Sequence, residues 1–290
     1  MMLQRLLLCT DLDRTLIPNG PETESPDARR LFSKLVSRPE VVLVYVTGRD
    51  RSRIEHAIED FELTVPQHVI ADVGTTIYAV NDMREWIRNT SWEDEIGRDW
   101  GNGSHASIAA QLADIDGLRI QEASRQNRFK LSYYVPLEID EYRLTDRIQS
   151  SLSQIGIRYS LIYSVDEPRN VGLLDILPAS ATKLHAIQFI MNESGFTKAD
   201  TVFCGDSGND LNVLASEIPG VLVGNASMDV RQRAIDLAGQ QGNSDALYVA
   251  RGSFLELNGN YAGGILEGVA HFYPGAVNWM KSSIAKAAKN

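Results

Sequence analysis

The sequence predicts an α/β protein in which a doubly wound parallel sheet forms the core and a smaller α/β domain is inserted into that core. Short apolar runs typical of buried parallel strands alternate with helical patterns before residue 81 and again after residue 178. Between these stretches the pattern changes, and one segment alternates between apolar and polar residues as an antiparallel strand does. We therefore predict a core of residues 1–81 and 178–290, and an inserted cap domain of residues 82–177.

The N-terminal part of the chain alternates between strand and helix patterns. Residues 6–9, 41–46 and 68–71 are short apolar runs, and each predicts a buried strand. Residues 27–37 and 54–61 carry apolar side chains at helical spacing and predict the two connecting helices. Strand, helix and strand in this order indicate right-handed crossovers within a parallel sheet.

The middle of the chain has a different pattern. Residues 129–135 place Phe129, Leu131, Tyr133 and Val135 on one side of a strand, and Lys130, Ser132 and Tyr134 on the other. This alternation predicts an antiparallel sheet with one packed face and one solvent-exposed face. A helix at 140–154 and strands at 157–163 and 171–177 complete the predicted cap.

The strand and helix alternation resumes in the C-terminal part. The predicted elements are a helix at 184–191, strands at 201–204, 221–223 and 248–249, and helices at 228–237 and 262–272. Residues 277–290 form a weakly amphipathic tail to which the sequence assigns no role.

Composition limits the kind of protein that this sequence encodes. The chain has 290 residues, of which 43% are hydrophobic, and can bury a sizeable core. Its net charge of −10 opposes general nucleic-acid binding, and no basic or long apolar stretch predicts membrane contact. Cys9 and Cys204 end apolar runs and lack the spacing of a zinc site, so we expect buried, reduced thiols. These features predict a cytoplasmic protein.

Carboxylates follow two of the predicted strands. Asp11 and Asp13 end the first strand and, because side chains of an extended chain alternate, would lie on one face. Asp206 and Asp210 follow the strand at 201–204. Ligand sites of open parallel sheets lie at the carboxyl ends of the strands, and clustered oxygen ligands favour Mg²⁺. The alternative at each position is an ordinary acidic turn with a helix cap.

Two further segments predict a phosphate site. Thr47 and Gly48 offer a hydroxyl group and backbone N–H groups at the start of a helix, where an anion is favoured. Lys183 supplies a compact positive charge at the start of another helix. Viewed singly, Thr47 could instead be a helix cap and Lys183 a solvated surface lysine.

These four motifs occur together and in a recognisable order. They are Asp11-Leu12-Asp13-Arg14-Thr15, Thr47-Gly48-Arg49, Lys183 and Gly205-Asp206-Ser207-Gly208-Asn209-Asp210. The set resembles the motifs of the haloacid dehalogenase-like (HAD) phosphatases, which implies a Rossmann-like core with a sheet-containing cap. Residues 127–133, 174–178 and 262–272 are similar to sucrose-phosphate phosphatases. Arg14 departs from the pattern, because many members of the superfamily carry Gly or Asn there.

The resemblance implies a mechanism. Asp11 would attack phosphorus and form an aspartyl-phosphate, and Asp13 would act as general acid and then as general base. Thr47 and Lys183 would assist catalysis by stabilising the charge on the transferring phosphoryl group. The implied ligands are Asp11, Asp13 (through its main-chain carbonyl) and Asp206 for Mg²⁺, with Asn209 and Asp210 in support; Thr47, Gly48 and Lys183 for phosphate; and Asn127, Lys130 and Ser132 for the sugar.

The implied reaction is hydrolysis of a phosphorylated disaccharide, with sucrose 6-phosphate as the first candidate. The substrate could instead be mannosylfructose phosphate, glucosylglycerol phosphate or mannosyl-3-phosphoglycerate. Phosphomannomutases share this core and transfer the phosphoryl group, so a mutase is a second alternative. A binding module without catalytic activity is the third, and the presence of Asp11, Asp13, Lys183 and Asp206 together opposes it. The resemblance also suggests association with the synthase that makes the substrate.

Overall fold

A large sheet organises the structure, a computed structural model that describes residues 5–166, 169–252 and 254–281. The strands in these residues are β1 (Leu6–Thr10), β2 (Val41–Val46), β3 (His68–Ala71), β4 (Thr76–Val80), β5 (Trp86–Arg88), β6 (Arg119–Ile120), β7 (Leu131–Val135), β8 (Tyr159–Asp166), β9 (Val171–Pro178), β10 (Thr201–Gly205), β11 (Gly220–Leu222) and β12 (Leu247–Val249). The α-helices are α1 (Ala28–Val36), α2 (Arg51–Asp60), α3 (Thr90–Gly97), α4 (His105–Gln111), α5 (Glu141–Leu152), α6 (Lys183–Ser194), α7 (Leu211–Leu214), α8 (Met228–Gln240), α9 (Ala262–Phe272) and α10 (Val277–Lys281). The tail predicted at 277–290 begins as α10, and residues 282–290 lie outside the described residues.

The large sheet has the strand order β12-β11-β10-β1-β2-β3-β4-β5. The strands from β12 to β3 in this order are parallel, and β4 and β5 are antiparallel additions at one edge. Strand β1 lies near the centre and all of its residues are buried, which explains its uninterrupted apolar sequence. Helices α1, α2 and α9 contribute to the apolar cluster on one face, and α6, α7 and α8 to the cluster on the other. The predicted doubly wound α/β fold is confirmed.

The small sheet has the order β6-β7-β9-β8, and all of its strand pairs are antiparallel. Leu144, Ile148 and Leu152 on α5 are buried in the same apolar cluster as β7 and β9. Helix α3 connects this unit to the core, because the ring of Trp92 contacts the rings of His185 and Phe189 on α6. None of the helices in the described ranges is both long enough and apolar enough to cross a membrane.

Strand β5 lies in the large sheet, although the sequence analysis assigned residues 82–88 to the cap. A turn closed by Arg84 N donating to Asn81 O at 2.8 Å returns the chain, so that Trp86 lies opposite Val80. The sequence did not show this hairpin because β5 has three residues and two of them are exposed. The division of the remaining residues between core and cap stays a prediction.

Strand β7 does not have the solvent-exposed face that its alternation predicted. All of its residues are buried. The segment 119–127 folds over the polar face: Gln126 Nε2 donates to Ser132 O at 2.9 Å, and the Arg119 guanidinium stacks 4.4 Å from the centre of the Tyr134 ring. The expectation is wrong because the alternation of one strand carries no information about whether another segment covers its polar face.

The two cysteines are buried and free, as predicted. Cys9 lies opposite Phe203, and Cys204 lies opposite Thr10, so the two thiols point to opposite faces of the sheet. Burial raises the pKa of the Cys9 thiol and of the Cys204 thiol, which disfavours the reactive thiolate.

We expect a thiol reagent to label neither cysteine in the native protein within minutes, and to label both after denaturation. Intact-mass measurement before and after addition of guanidinium chloride counts the labels. Rapid labelling of the native protein would show that the strands open far more often than this packing allows.

Candidate active site

The candidate site lies at the carboxyl ends of three neighbouring strands, β10, β1 and β2. Asp11 directly follows β1, Asp206 follows β10, and Thr47 follows β2. Asp11 N donates to Cys204 O at 2.9 Å and Thr47 N donates to Ile70 O at 2.8 Å, so the sheet ladder extends into both loops. The parallel arrangement therefore brings together three of the four sequence motifs.

Three buried carboxylates converge at this position. Asp11, Asp206 and Asp210 each have an oxygen within 4.8 Å of the others. Burial, the strongest influence, raises the pKa of Asp11 to about 8; the Lys183 ammonium opposes this rise, whereas the charges of Asp210 and Asp206 add to it. Burial and then the Asp210 charge raise the pKa of Asp206 to about 6. The cluster thus holds more negative charge than the surrounding protein neutralises.

Lys183 enters the same cluster from the first turn of α6. Its Nζ lies 3.1 Å from Asp11 Oδ2 and 2.7 Å from Asp210 Oδ1, and it donates to Asn209 Oδ1 at 3.1 Å. Burial opposes a charged lysine, but the neighbouring carboxylates outweigh burial and raise the pKa of Lys183 above its ordinary value. Lys183 is 6% exposed, which excludes the alternative of a solvated surface lysine.

Asp210 organises the loop that follows β10. Its Oδ2 accepts hydrogen bonds from Asp206 N at 3.1 Å, Ser207 N at 3.0 Å and Ser207 Oγ at 3.1 Å. Gly205 is required beneath it, because a Cβ there would lie 2.5 Å from Asp210 Cγ. Both oxygens of Asp210 are engaged within the protein, so the residue supports Lys183 and the loop.

The side chain of Asp13 is not part of the three-carboxylate cluster and is bound instead by Arg49 and Asn19. Arg49 Nε donates to Asp13 Oδ2 at 2.8 Å, Arg49 Nη2 donates to Oδ1 at 2.6 Å, and Asn19 Nδ2 also donates to Oδ1 at 2.7 Å. Burial opposes ionisation, but the hydrogen bonds and charge of Arg49 hold the pKa of Asp13 below its ordinary value. The sequence analysis gave Arg49 no role, although its place in the Thr47-Gly48-Arg49 motif was the available signal.

Thr47 and Gly48 form the loop between β2 and α2. The buried Thr47 side chain accepts a hydrogen bond from Arg49 N at 3.2 Å. The cap of α2 is Asp50, whose side chain accepts from Arg53 N, so the alternative role of Thr47 as the helix cap is excluded. A Cβ on Gly48 would meet only Val73 at 3.8 Å, which leaves this backbone open to a ligand.

Arg14, the departure from the superfamily pattern, has a left-handed backbone with φ 58°. Its carbonyl oxygen accepts from Asn225 Nδ2 at 2.6 Å, and this bond holds the turn. Its Nε lies 3.7 Å from Asp206 Oδ2, the Asp206 oxygen that does not accept from Thr15. The Arg14 guanidinium therefore lies beside Asp206, the carboxylate that the sequence analysis assigned to Mg²⁺.

The predicted sugar residues occupy two environments. Lys130 Nζ donates to Ser132 Oγ at 2.6 Å and lies 3.3 Å from Asp175 Oδ1, so these two residues share a polar cluster on the cap sheet. Asp175 was missed by sequence reasoning, because only the register of β7 with β9 places it opposite Ser132. Asn127 bonds to Lys130 through the main chain, but its side-chain amide turns to the core and donates to Thr75 Oγ1 at 2.9 Å.

The donor set of the cluster fits a hard divalent cation. Asp11 and Asp206 offer carboxylate oxygens at the carboxyl edge of the sheet, and burial, followed by the charge of neighbouring carboxylates, raises their pKa values. Oxygen ligands and few dedicated protein groups are typical of Mg²⁺ sites that keep several waters. Among the described residues, no sulfur or imidazole ligand joins this cluster.

Comparison with known proteins shows the family. A model of the sucrose-6F-phosphate phosphohydrolase family matches residues 4–273. The chain belongs to this family. The HAD superfamily, its fold and the class of phosphoric monoester hydrolases, all predicted from the motifs, are thereby confirmed.

Individual relatives and structures are similar over most of this chain. A HAD-like hydrolase of Nitrosococcus oceani is 48% identical over 288 residues, which cover 99% of this chain and 77% of that protein. Mannosylfructose-phosphate phosphatase of Agrobacterium fabrum is 27% identical, with 92% and 96% covered. Sucrose-phosphatase 1 of Nicotiana tabacum is 27% identical over 79% of this chain, which spans 52% of that protein. The structure of the sucrose-phosphatase from Synechocystis sp. PCC6803 in complex with sucrose and phosphate has a TM-score of 0.70 at 24% identity, with 93% and 98% covered.

Magnesium should raise the melting temperature of the protein. A ligand that binds only the folded state at 100 times its Kd stabilises it by about 2.7 kcal/mol. Since protons compete with the metal for Asp206, whose pKa is about 6, the shift should be larger well above that pH than below it.

Thermal unfolding with and without MgCl₂ at the two pH values measures the effect. Asp206→Asn should lose most of the shift, and Asp229→Asn, which removes an exposed carboxylate from α8, should retain it. An equal shift in both variants would place the metal elsewhere.

Proposed function

We propose that the chain is a Mg²⁺-dependent phosphatase that hydrolyses a phosphorylated disaccharide through an aspartyl-phosphate on Asp11. The observation that carries the proposal is the position of Asp11, which lies at the carboxyl end of β1 with Asp206 beside it and Lys183 Nζ at 3.1 Å. Sucrose 6-phosphate is the first candidate substrate. It is supported by the family model and by the sucrose-phosphatases among the relatives.

The chain's own residues account for the first half-reaction. Asp11 Oδ1 accepts from Leu12 N at 2.7 Å, which orients the carboxylate for attack on phosphorus. Lys183, Thr47 and Gly48 would bind the phosphoryl oxygens at the edge of the sheet. A divalent cation, when held by Asp11, Asp206 and the Asp13 carbonyl, would neutralise charge between nucleophile and phosphoryl group.

Asp13 is assigned the proton transfers. In the first half-reaction it would give a proton to the leaving sugar oxygen, and in the second it would take one from the attacking water. Its ion pair with Arg49 favours the carboxylate, the form that the second step needs. The first step requires protonated Asp13, so we infer that the Arg49 contact loosens when the sugar phosphate binds.

The polar cluster on the cap sheet is the proposed sugar site. Lys130, Ser132 and Asp175 are linked by hydrogen bonds and an ion pair, which leaves donors and acceptors in a fixed arrangement. Such groups suit sugar hydroxyls, because a hydroxyl donates and accepts at once. Asn127, assigned to the sugar from its place in the sequence, would have to release Thr75 to take part.

Other assignments remain alternatives to be tested. Mannosylfructose-phosphate phosphatase and a glucosylglycerol-phosphate synthase among the relatives support a search over glycosyl phosphates, to which we add mannosyl-3-phosphoglycerate. Release of free phosphate without a bisphosphate activator would separate a phosphatase from a mutase. Association with a partner synthase stays a prediction, which co-purification from the native source would test.

Asp11→Asn should abolish turnover while the fold is retained, because an amide of the same shape is a poor nucleophile. Phosphate release from sucrose 6-phosphate measures the loss, and thermal unfolding checks the fold. Wild-type protein quenched during turnover should carry a phosphoryl adduct on the peptide that contains Asp11. Retention of more than roughly a tenth of the wild-type rate would exclude Asp11 as nucleophile.

Lys130→Met should lower kcat/KM for sucrose 6-phosphate by roughly tenfold to a thousandfold, about 1.4 to 4 kcal/mol, because contacts to the sugar orient the phosphate. Hydrolysis of p-nitrophenyl phosphate, which has no sugar, should change little. Tyr134→Phe is the control, since Tyr134 lies on β7, which Lys130 directly precedes, and its hydroxyl donates to Glu122. Equal losses on both substrates would instead indicate a general disturbance of the cap.

A further inference from the structure

Three arginines meet where the start of α2 faces the cap segment 119–127. Arg49 and Arg53 belong to the core, and Arg49 Nη1 donates to Arg53 O at 3.3 Å. Arg125 belongs to the cap segment, and its Nη1 lies 3.4 Å from Asp50 Oδ2. Arg49 and Arg53 on the core and Arg125 on the segment 119–127 therefore lie close together where the two parts of the chain meet.

The carboxylates beside these arginines are already engaged. Asp13 takes two hydrogen bonds from Arg49, and Asp50 takes the ion pair with Arg125 as well as the hydrogen bond from Arg53 N at 3.0 Å. Within the described ranges, the guanidinium of Arg53 has no hydrogen bond or ion pair. Of the three arginines, Arg49 and Arg125 are thus paired with a carboxylate and Arg53 is not.

The charges of the neighbouring arginines affect the pKa of Arg53. Although Arg53 remains exposed, partial burial and then the charges of Arg125 and Arg49 lower its pKa. The charges of Asp50 and Asp13 only partly compensate. An anion bound at Arg53 would relieve this repulsion.

The arginines lie between the proposed phosphate and sugar sites. On one side, Arg49 contacts Asp13, two residues from the proposed nucleophile. On the other side, the carbonyl oxygen of Arg125 accepts from Lys130 Nζ at 2.9 Å and from Ser132 Oγ at 3.2 Å. A substrate that spans the two sites would therefore lie beside these arginines.

We propose that Arg53 and Arg125 form a second anion subsite, and that the preferred substrate is a glycosyl phosphate with a further negative group on its non-reacting part. The inference rests on the proposed phosphatase function and narrows its substrate class. Arginine suits this task because its planar guanidinium donates two parallel hydrogen bonds to a carboxylate or a phosphate. Arg53 is free to do so, and Arg125 would share its donors with Asp50.

Two simpler roles make different predictions. If the arginines only attract the phosphate that is hydrolysed, they contribute equally to every substrate, because every substrate carries that group. If Arg53 is only a solvated side chain, its removal changes no rate constant. A subsite for a second anion changes the discrimination between substrates that differ only in that anion.

Matched substrate pairs test the proposal. The first pair is 2-O-glucosylglycerol 3-phosphate and 2-O-glucosyl-3-phosphoglycerate, which differ only in a hydroxymethyl group against a carboxylate. The second is fructose 6-phosphate and fructose 1,6-bisphosphate, which tests a phosphate as the second anion. We expect wild-type protein to prefer the more anionic member of at least one pair by tenfold or more in kcat/KM.

Arg53→Gln should reduce that preference at least tenfold, and Arg125→Gln should reduce it in the same direction. Among the described residues the Arg53 guanidinium makes no hydrogen bond or ion pair that the substitution would remove, so its variant keeps the test valid if Arg125→Gln is unstable. Arg51→Gln is the control, because Arg51 lies on the same helix, is exposed and pairs with Glu55 at 2.9 Å. The control should keep the wild-type preference.

The results that would overturn the subsite differ from those that would overturn the proposed phosphatase function. Absence of a preference in the wild type, its survival in Arg53→Gln, or an equal loss on both members of a pair would each overturn the subsite. If sucrose 6-phosphate is hydrolysed without any such preference, the subsite alone fails and the phosphatase stands. Failure to release phosphate from every one of these substrates, sucrose 6-phosphate included, would overturn the proposed function and the subsite together.

Discussion

The buried contact of Lys183 with Asp11 and Asp210 is the interaction on which the rest of the site depends. An ammonium group this deeply buried is stable only beside opposite charges, and it has them at 3.1 and 2.7 Å. Removing one partner of a buried ion pair typically costs roughly 3–5 kcal/mol, because the other charge is then left without compensation. Lys183 therefore fixes the loops after β1 and β10 relative to α6, and the proposed catalytic groups inherit their spacing from it.

The same helix connects the carboxylates with the small sheet. Lys183 is the first residue of α6, and two turns of this helix carry His185 and Phe189, whose rings contact Trp92 of α3. The indole nitrogen of Trp92 donates to Gly74 O at 3.1 Å, beside the end of β3. Helix α6 thus carries both the charged contact of Lys183 at the sheet edge and the aromatic contacts with α3.

The sequence predicted the residues of the site better than their contacts. Asp11, Asp206 and Lys183 could be found because strand ends and helix starts are periodic features of a local segment, and parallel strands bring their ends together. The bond between Arg49 and Asp13 and the place of Asp175 opposite Ser132 depend on pairs of residues far apart in the chain. No periodicity in one segment specifies such pairs. Strand β5 was not assigned to the large sheet for another reason, because its three residues, two of them exposed, are too few to show a strand pattern.

The contacts between cap and core differ in kind from one side to the other. On the side of Trp92 the rings of Trp92, His185 and Phe189 pack together, and the polar contact of Asn89 with Glu193 lies at the edge of this packing. On the side of Arg125 the contacts are polar, Arg125 with Asp50 and Asn127 with Thr75. Water can replace polar contacts at little net cost, but it cannot replace buried aromatic surface. The contacts of Arg125 with Asp50 and of Asn127 with Thr75 are consequently the ones that exchange with water most cheaply, whereas the packing of Trp92 against α6 resists separation.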